Sequence, residues 1–376
     1  MRPRSILFAI PELGHGGPDR VVAQLIDALD RDRFSPSLAV IRPGGRYFDR
    51  LPGDVEVYAI GPKRYPLRGL ARAVDRARPD LVFTTLAMNL VAPFSRMIQR
   101  HRPPIVARQA NAVEADFAAL KAQSLVKHRI AEKLVKSALR KAEAVVAQSS
   151  DMARELRPSL RRGQRLAVIG NPIDIDETRS RAGGLSAGPR FGAPALVSVG
   201  RLGRQKGYDL LLPAFAALRK HYPDAGLTIF GDGSERPALE AQARRLAIHD
   251  RVRLAGHSDD ALAEVAQADL FVSSSRYEGF SNALLEAMAL GTAVVATDCP
   301  GATSDMVIEG ETGMLAPAHD VDALTAAMRR ALSADLSALG ERGRTHVARA
   351  YDRRAIVGEY ERLFDSVASP AGHHPA

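Results

Sequence analysis

The 376-residue chain has one cysteine, Cys299, no tryptophan and only 5% aromatic residues. A lone cysteine excludes an intrachain disulfide and a thiolate zinc cluster, so no structural metal is expected. Without tryptophan, and without a zinc-finger or RNA-recognition aromatic signature, there is little on which bases can stack, and no nucleic-acid partner is expected. Long apolar runs are missing too. Stretches such as ILFAI (6–10) fall well short of the roughly 18 residues that span a bilayer, and no cleavable signal pattern follows the N-terminus, so the expected location is cytoplasmic.

Against these absences stand 46% apolar residues, enough for two domains to bury a core each, and a net charge of +9. The charge is uneven: residues 1–170 carry 30 Lys/Arg against 16 Asp/Glu, and the remainder 22 against 27. A basic first half suits an anionic partner such as an acidic membrane surface or a phosphate-bearing molecule.

Short unalternating apolar runs recur between helix-length amphipathic segments: SILFAI (5–10), SLAVI (37–41), VEVYAI (55–60), DLVFTT (80–85), PIVAR (104–108), AVVAQS (144–149) and LAVIG (166–170). The pattern restarts after the Gly/Ala/Ser/Pro-rich stretch 181–194, read as a linker, with ALVSVG (195–200), GLTIFG (226–231), RVRLAG (251–256), ADLFVS (268–273) and AVVAT (293–297). Such runs read as parallel strands covered on both faces, hence two doubly wound α/β domains facing each other across a cleft. The expected division is 1–172 and 173–354, with an amphipathic helix at 355–368 and a disordered tail at 369–376. In LVKHRIAEKLVKSALRK (125–141), Leu125, Ile130, Leu134, Ala138 and Leu139 form an apolar stripe opposite Arg129, Lys133, Lys136 and Arg140. The basic row is either a solvated face of a packed helix or a contact for anionic lipid.

Two segments place polar chemistry at strand ends. VGRLGRQKGYDL (199–210) puts Arg201 and Lys206 after a strand, in a loop opened by Gly200. A forked guanidinium and a mobile ammonium together suit a diphosphate, although a solvated basic loop would read the same way. In SRYEGFSNALLEAMALG (275–291), Ser281 is a plausible N-cap and Gly291 a terminator, so the amides of Gly279, Phe280, Ser281 and Asn282 mark a helix start suited to an anion. Glu278 just before the turn can accept from sugar hydroxyls, and Glu286 in the second turn can reach a ribose diol. Either carboxylate equally suits the N-terminal half of a helix or an arginine partner.

The G-R-x(4)-K-G loop, followed about seventy residues later by E-x(7)-E within EGFSNALLEAMALGTAVV, resembles the family 4 glycosyltransferases. ELGHGGPDRVV (12–22) is similar to that family's glycine-rich first loop, GDG (231–233) to its short turn and GNPID (170–174) to its interdomain junction. The resemblance implies the GT-B fold, in which two Rossmann-like domains face each other and the last helix returns to the first. It also implies a retaining, metal-independent transferase with a nucleotide-sugar donor, UDP-sugar favoured over GDP-sugar, and no cofactor. By the same resemblance Arg201 and Lys206 grip the diphosphate, Glu278 contacts the transferred sugar and Glu286 the ribose. The expected reaction moves a hexose or acetamido-hexose to a lipid-linked or cell-envelope saccharide, and the basic first half suits a peripheral location on the inner face of the cell membrane.

Preorganised cations at the diphosphate can replace a metal, and Asp174 and Asp176 in NPIDIDE read as turn and capping residues. The sequence departs from the family after PIVAR, where many relatives place a histidine and this chain has RQANAVE (108–114). Gln109 and Asn111 cannot act as a base at neutral pH, so either the leaving phosphate takes the proton alone or the acceptor pocket differs, with His15 in the first loop as a substitute base. Gly16 and Gly17 allow close backbone approach to the diphosphate and acceptor. A nucleotide-sugar epimerase and a non-catalytic nucleotide-sugar-binding protein are the alternatives, and a dinucleotide oxidoreductase fails because GHGGPDR lacks the full glycine spacing.

Overall fold

A computed structural model describes residues 2–14, 16–110, 125–184, 188–258 and 261–368. His15, Asn111 and the 369–376 tail lie outside the described residues. The chain divides into two compact units, one formed by residues through Pro172 together with those from Arg353 onward, the other by Ile173–Asp352.

In unit 1 all seven apolar runs become parallel strands: β1 (Arg4–Glu12), β2 (Phe34–Arg42), β3 (Glu56–Ala59), β4 (Leu81–Thr85), β5 (Ile105–Arg108), β6 (Ala144–Ala147) and β7 (Arg165–Val168). Their order is β3-β2-β1-β4-β5-β6-β7. Unalternating sequence is needed because both faces are buried: Ile6, Phe8 and Ile10 enter one core layer while Leu7 and Ala9 enter the other. The helix Arg353–Ala368 closes the first layer, its Phe364 packing edge-on against Phe8, Phe34 and Phe83. Each fully buried phenylalanine stabilises the layer by roughly 1.5–3 kcal/mol.

Unit 2 holds β8 (Ala195–Val199), β9 (Gly226–Phe230), β10 (Val252–Gly256), β11 (Leu270–Ser273), β12 (Val294–Asp298) and β13 (Met314–Pro317), in the order β10-β9-β8-β11-β12-β13. The order reverses beside β8, so the loops after β8 and β11 emerge next to each other at the strands' carboxyl ends, where ligands of such sheets bind. The sequence reading misses β13, a four-residue edge strand ending in proline, without a β-branched residue.

Two expectations are corrected. The chain passes into unit 2 at Ile173, ahead of the helix Ile175–Gly183 that Asp174 caps through Glu177 N at 2.8 Å, so the 181–194 stretch is not the link between the units. In the helix Leu125–Lys141 only Ala138 and Leu139 of the apolar stripe are buried, while Leu125, Ile130 and Leu134 are open to solvent. Of the basic row, Lys136 pairs with Glu132 and Arg140 Nε donates to the Ser159 carbonyl at 2.9 Å. Among the described residues, no helix is long and apolar enough to cross a membrane.

Candidate functional site

The loops after β8 and β11 are bound into one structure. Arg276 N donates to Gln205 O at 2.8 Å, Gln205 Nε2 to Tyr277 O at 3.1 Å, and Ser274 Oγ to Lys206 O at 2.8 Å. Such contact demands glycine: Gly207 sits at φ +64°, and a Cβ there would lie 2.0 Å from Ser274 O. The Arg276 guanidinium forks onto both carboxylate oxygens of Asp209, each at 2.7 Å, tying the second loop to the helix that follows the first. This hydrogen-bonded guanidinium holds the Asp209 carboxyl below its usual range, and Asp209 raises Arg276 in turn.

Glu278 is the buried centre of this arrangement, 5% exposed. Its Oε1 accepts from Ser275 Oγ at 2.6 Å and pairs with Lys206 Nζ, while Gln205 Nε2 lies 3.5 Å from Oε2. The loop after β12 completes its seat, with Glu278 N donating to Pro300 O at 2.9 Å. Gly301, at φ +134°, lets this loop pass where a Cβ would come within 1.9 Å of Glu278 O. Buried nearby, the Cys299 thiol is pushed up to about 11 by desolvation.

The helix Asn282–Leu290 starts as expected: Ser281 Oγ accepts from Leu284 N at 3.4 Å, and Gly291 ends the helix at φ +80°. The Phe280 ring packs edge-on against Tyr351 at 5.5 Å between centroids, inside the core, so only the backbone of Phe280 is available to a ligand. Glu286 is half-buried one turn along this helix, Arg201 is exposed, and Gly200 N donates to Phe230 O at 2.9 Å. Lys206, Glu278 and the helix start are thus gathered at the ends of adjacent strands, with a cation and an acceptor already in contact. Among the described residues, no three His, Cys, Asp or Glu side chains are grouped to hold a metal ion.

In unit 1 the glycine-rich loop is tied to the helix that follows it. Asp19 Oδ2 accepts from both Gly14 N at 3.1 Å and Gly16 N at 3.0 Å, so the Gly16 amide is committed to a carboxylate within its own chain. Gly17 begins the helix Gly17–Ala28. The Gln109 backbone is tied down, its amide donating to Val146 O and its carbonyl accepting from Gln148 Nε2, both at 2.9 Å. Sequence reasoning missed Arg108, which looks like the end of an apolar strand. It is fully buried, donates to Asn171 Oδ1 at 2.6 Å and lies beside the Tyr360 hydroxyl. Asn171 within GNPID was the available signal, since a buried amide before a proline needs a partner.

Residues 15–177 match the model of Glycosyltransferase Family 4, and residues 193–334 that of Glycosyl transferases group 1. The chain is 36% identical over 177 residues to the lipopolysaccharide core biosynthesis glycosyltransferase LpsE of Rhizobium meliloti, covering 46% of this chain and 50% of that protein. It is 34% identical over 215 residues to a phosphatidyl-myo-inositol mannosyltransferase of Mycobacterium tuberculosis, covering 55% of each. The chain spans about half the length of the curated relatives it matches. In structure it is similar to Anabaena HepE in complex with UDP, with a TM-score of 0.79 at 19% identity over 96% of this chain and 100% of that one. The two sheets therefore form the GT-B fold, and the chain belongs to the family 4 glycosyltransferases.

Proposed function

We propose that this protein transfers a hexose or acetamido-hexose from a nucleotide-sugar, a UDP-sugar in preference to a GDP-sugar, to a lipid-linked or cell-envelope saccharide. The observation that carries this reading is the joining of the Arg201–Lys206 loop to the Glu278 loop at the reversal of strand order in unit 2. Cleavage of a sugar–phosphate bond leaves negative charge on the diphosphate. Lys206, Arg201 and the amides at the start of the helix Asn282–Leu290 supply fixed positive potential for it, so no metal is needed for that step. Lys206 has three N–H donors and spends one on Glu278, keeping two for phosphate oxygens. Glu278 accepts from hydroxyls of the transferred sugar and Glu286 from the ribose. With no histidine in the RQANAVE segment at the end of β5, the departing phosphate takes the acceptor's proton, which places attack and departure on one face of the sugar and retains the anomeric configuration.

The names of the relatives support the acceptor class: one builds lipopolysaccharide core, and another is named for mannosyl transfer to phosphatidyl-myo-inositol. The basic first half agrees with an acceptor held at an anionic membrane. Incubation with UDP-, GDP- and ADP-sugars, followed by nucleotide release and anomeric NMR of the product, tests the reading. Slow nucleotide release from a UDP-sugar and a retained anomer are expected; no release from any donor would overturn it.

A further inference from the structure

Unit 1 carries two adjoining cavities that the donor chemistry leaves unused. The larger, 780 Å³, runs between the edge strand β3 and the helix Leu67–Ala77. That helix buries Leu70, Ala71, Ala73 and Val74, which turns Arg68, Arg72 and Arg76 into one exposed row four residues apart. Together with Lys63 these arginines line the cavity, and among the described lining residues Glu56 is the one acid. The smaller cavity, 280 Å³, is walled by Tyr65, Leu67, Leu90, Val91, Phe94 and Leu134. Tyr65 and Leu67 belong to both walls, so a cationic groove continues directly into an apolar one.

The rim between them is amphiphilic in detail. The Arg64 guanidinium stands 5.5 Å over the Tyr65 ring and Lys141 Nζ 4.4 Å over the Phe94 ring, so each aromatic of the apolar groove carries a cation at its edge with solvent. Beyond the groove Met97 and Ile98 are exposed, as are Leu125 and Ile130 on the helix whose Leu134 lines it. Exposed apolar side chains framed by arginine and lysine match the two chemistries of a lipid leaflet, hydrocarbon beneath phosphate. An acidic peptide pairing with the β3 edge would use the arginines but not the apolar groove.

We propose that this face of unit 1 seats on an anionic bilayer, lipid phosphates lying along Lys63, Arg68, Arg72 and Arg76 and hydrocarbon entering between Tyr65, Leu67, Phe94 and Leu134. It rests on the lipid-borne acceptor reading above and specifies where the membrane is met. The two fail separately, because vesicle binding tests the face whereas nucleotide release tests the transferase.

The experiment is co-sedimentation of the full chain with vesicles of phosphatidylcholine containing about one-third phosphatidylglycerol, against pure phosphatidylcholine. Binding to the first and not the second is expected. Each basic residue near such a surface is worth about fivefold in partition, so Arg68→Gln/Arg72→Gln should lower binding roughly 25-fold. Tyr65→Ser/Leu67→Ser should lower it by about tenfold or more through lost hydrocarbon contact. All four side chains are exposed, and these variants should melt like the wild type. Arg244→Gln/Arg245→Gln removes the same charge from an exposed helix of unit 2 and should bind as wild type. Equal loss in that control, unchanged binding in both groove variants, or no binding to anionic vesicles would each overturn the proposal. So would displacement by soluble glycerol phosphate beyond its effect on ionic strength, which would mark a site for a small phosphate instead.

Discussion

Replacing Glu278 by glutamine tests whether one carboxylate both orders the site and serves the reaction. In the Lys206–Glu278 pair the side chains are 19% and 6% exposed, so removing the charge strands a largely buried ammonium. Breaking a buried pair costs about 3–5 kcal/mol. Glutamine keeps a carbonyl to accept from Ser275 and Lys206 retains some water, which brings the expected cost to about 2–3 kcal/mol. In a unit of this size that lowers the melting temperature by roughly 4–12 °C. Lys206→Met should cost a similar amount, and the double variant well short of the sum, giving a coupling of about 2 kcal/mol in a four-variant thermal unfolding cycle. Nucleotide release should meanwhile fall about 100-fold or more in Glu278→Gln, with UDP affinity changed only a few-fold, because the contacts proposed for this carboxylate are to the sugar. Additive single effects would show that the pair carries no interaction, and normal turnover in Glu278→Gln would remove this residue from the reaction.

The other expected outcomes concern separate features. Donor turnover should persist in EDTA, and a strict requirement for added magnesium or manganese would restore Asp174 and Asp176 as ligands. Asp209→Asn should cost about 1 kcal/mol at pH 7, the partly exposed carboxylate limiting the value. Because the folded state depresses this carboxyl, its contribution is complete above the unfolded value near pH 4 and is lost as pH falls through the folded one. The gap between wild type and Asp209→Asn in urea midpoint should accordingly narrow from pH 7 to pH 3. Cys299, buried and raised to about 11, should resist thiol reagents at neutral pH until the chain unfolds; rapid labelling of native protein would contradict its placement. Lys133→Gln/Lys136→Gln, which removes the same charge as Arg68→Gln/Arg72→Gln, should weaken anionic vesicle binding less than that pair does, since Lys136 is already paired with Glu132.

The strands of both units are legible because burial on two faces leaves an unalternating apolar run, a pattern that survives without knowledge of neighbours. β13 escapes the same reasoning: at the sheet edge it needs few β-branched residues and tolerates Pro317. The helix start at Asn282 is local chemistry, a serine cap and a terminal glycine, and reads directly from sequence. Glu278 and Lys206 can each be singled out, but their direct contact depends on two loops 72 residues apart. Nor does sequence reveal that the Gly16 amide is taken by Asp19, or that Phe280 points into the core against Tyr351. Those outcomes are set by competition between partners, which only the folded arrangement decides. Arg108 is the extreme case, a charge concealed in what reads as an ordinary apolar strand.

The chain enters and leaves unit 2 at one place. Ile173 N donates to Tyr351 O at 2.9 Å, and Ile173 and Asp352 bridge in parallel, so the first and last residues of this unit lie side by side. A module whose two ends meet at one point can be spliced into a host by a single double cut without disturbing either core. Unit 1 is the dependent partner in such an exchange, because its first core layer is closed only when the Tyr360 and Phe364 rings return from the far side of the insert. Under the function and membrane face proposed above, chimaeras joined after Pro172 and before Arg353 should trade specificity for the activated sugar while keeping the host's vesicle binding and acceptor. Truncation ahead of Arg353 should leave unit 1 with an open aromatic layer and prone to aggregate.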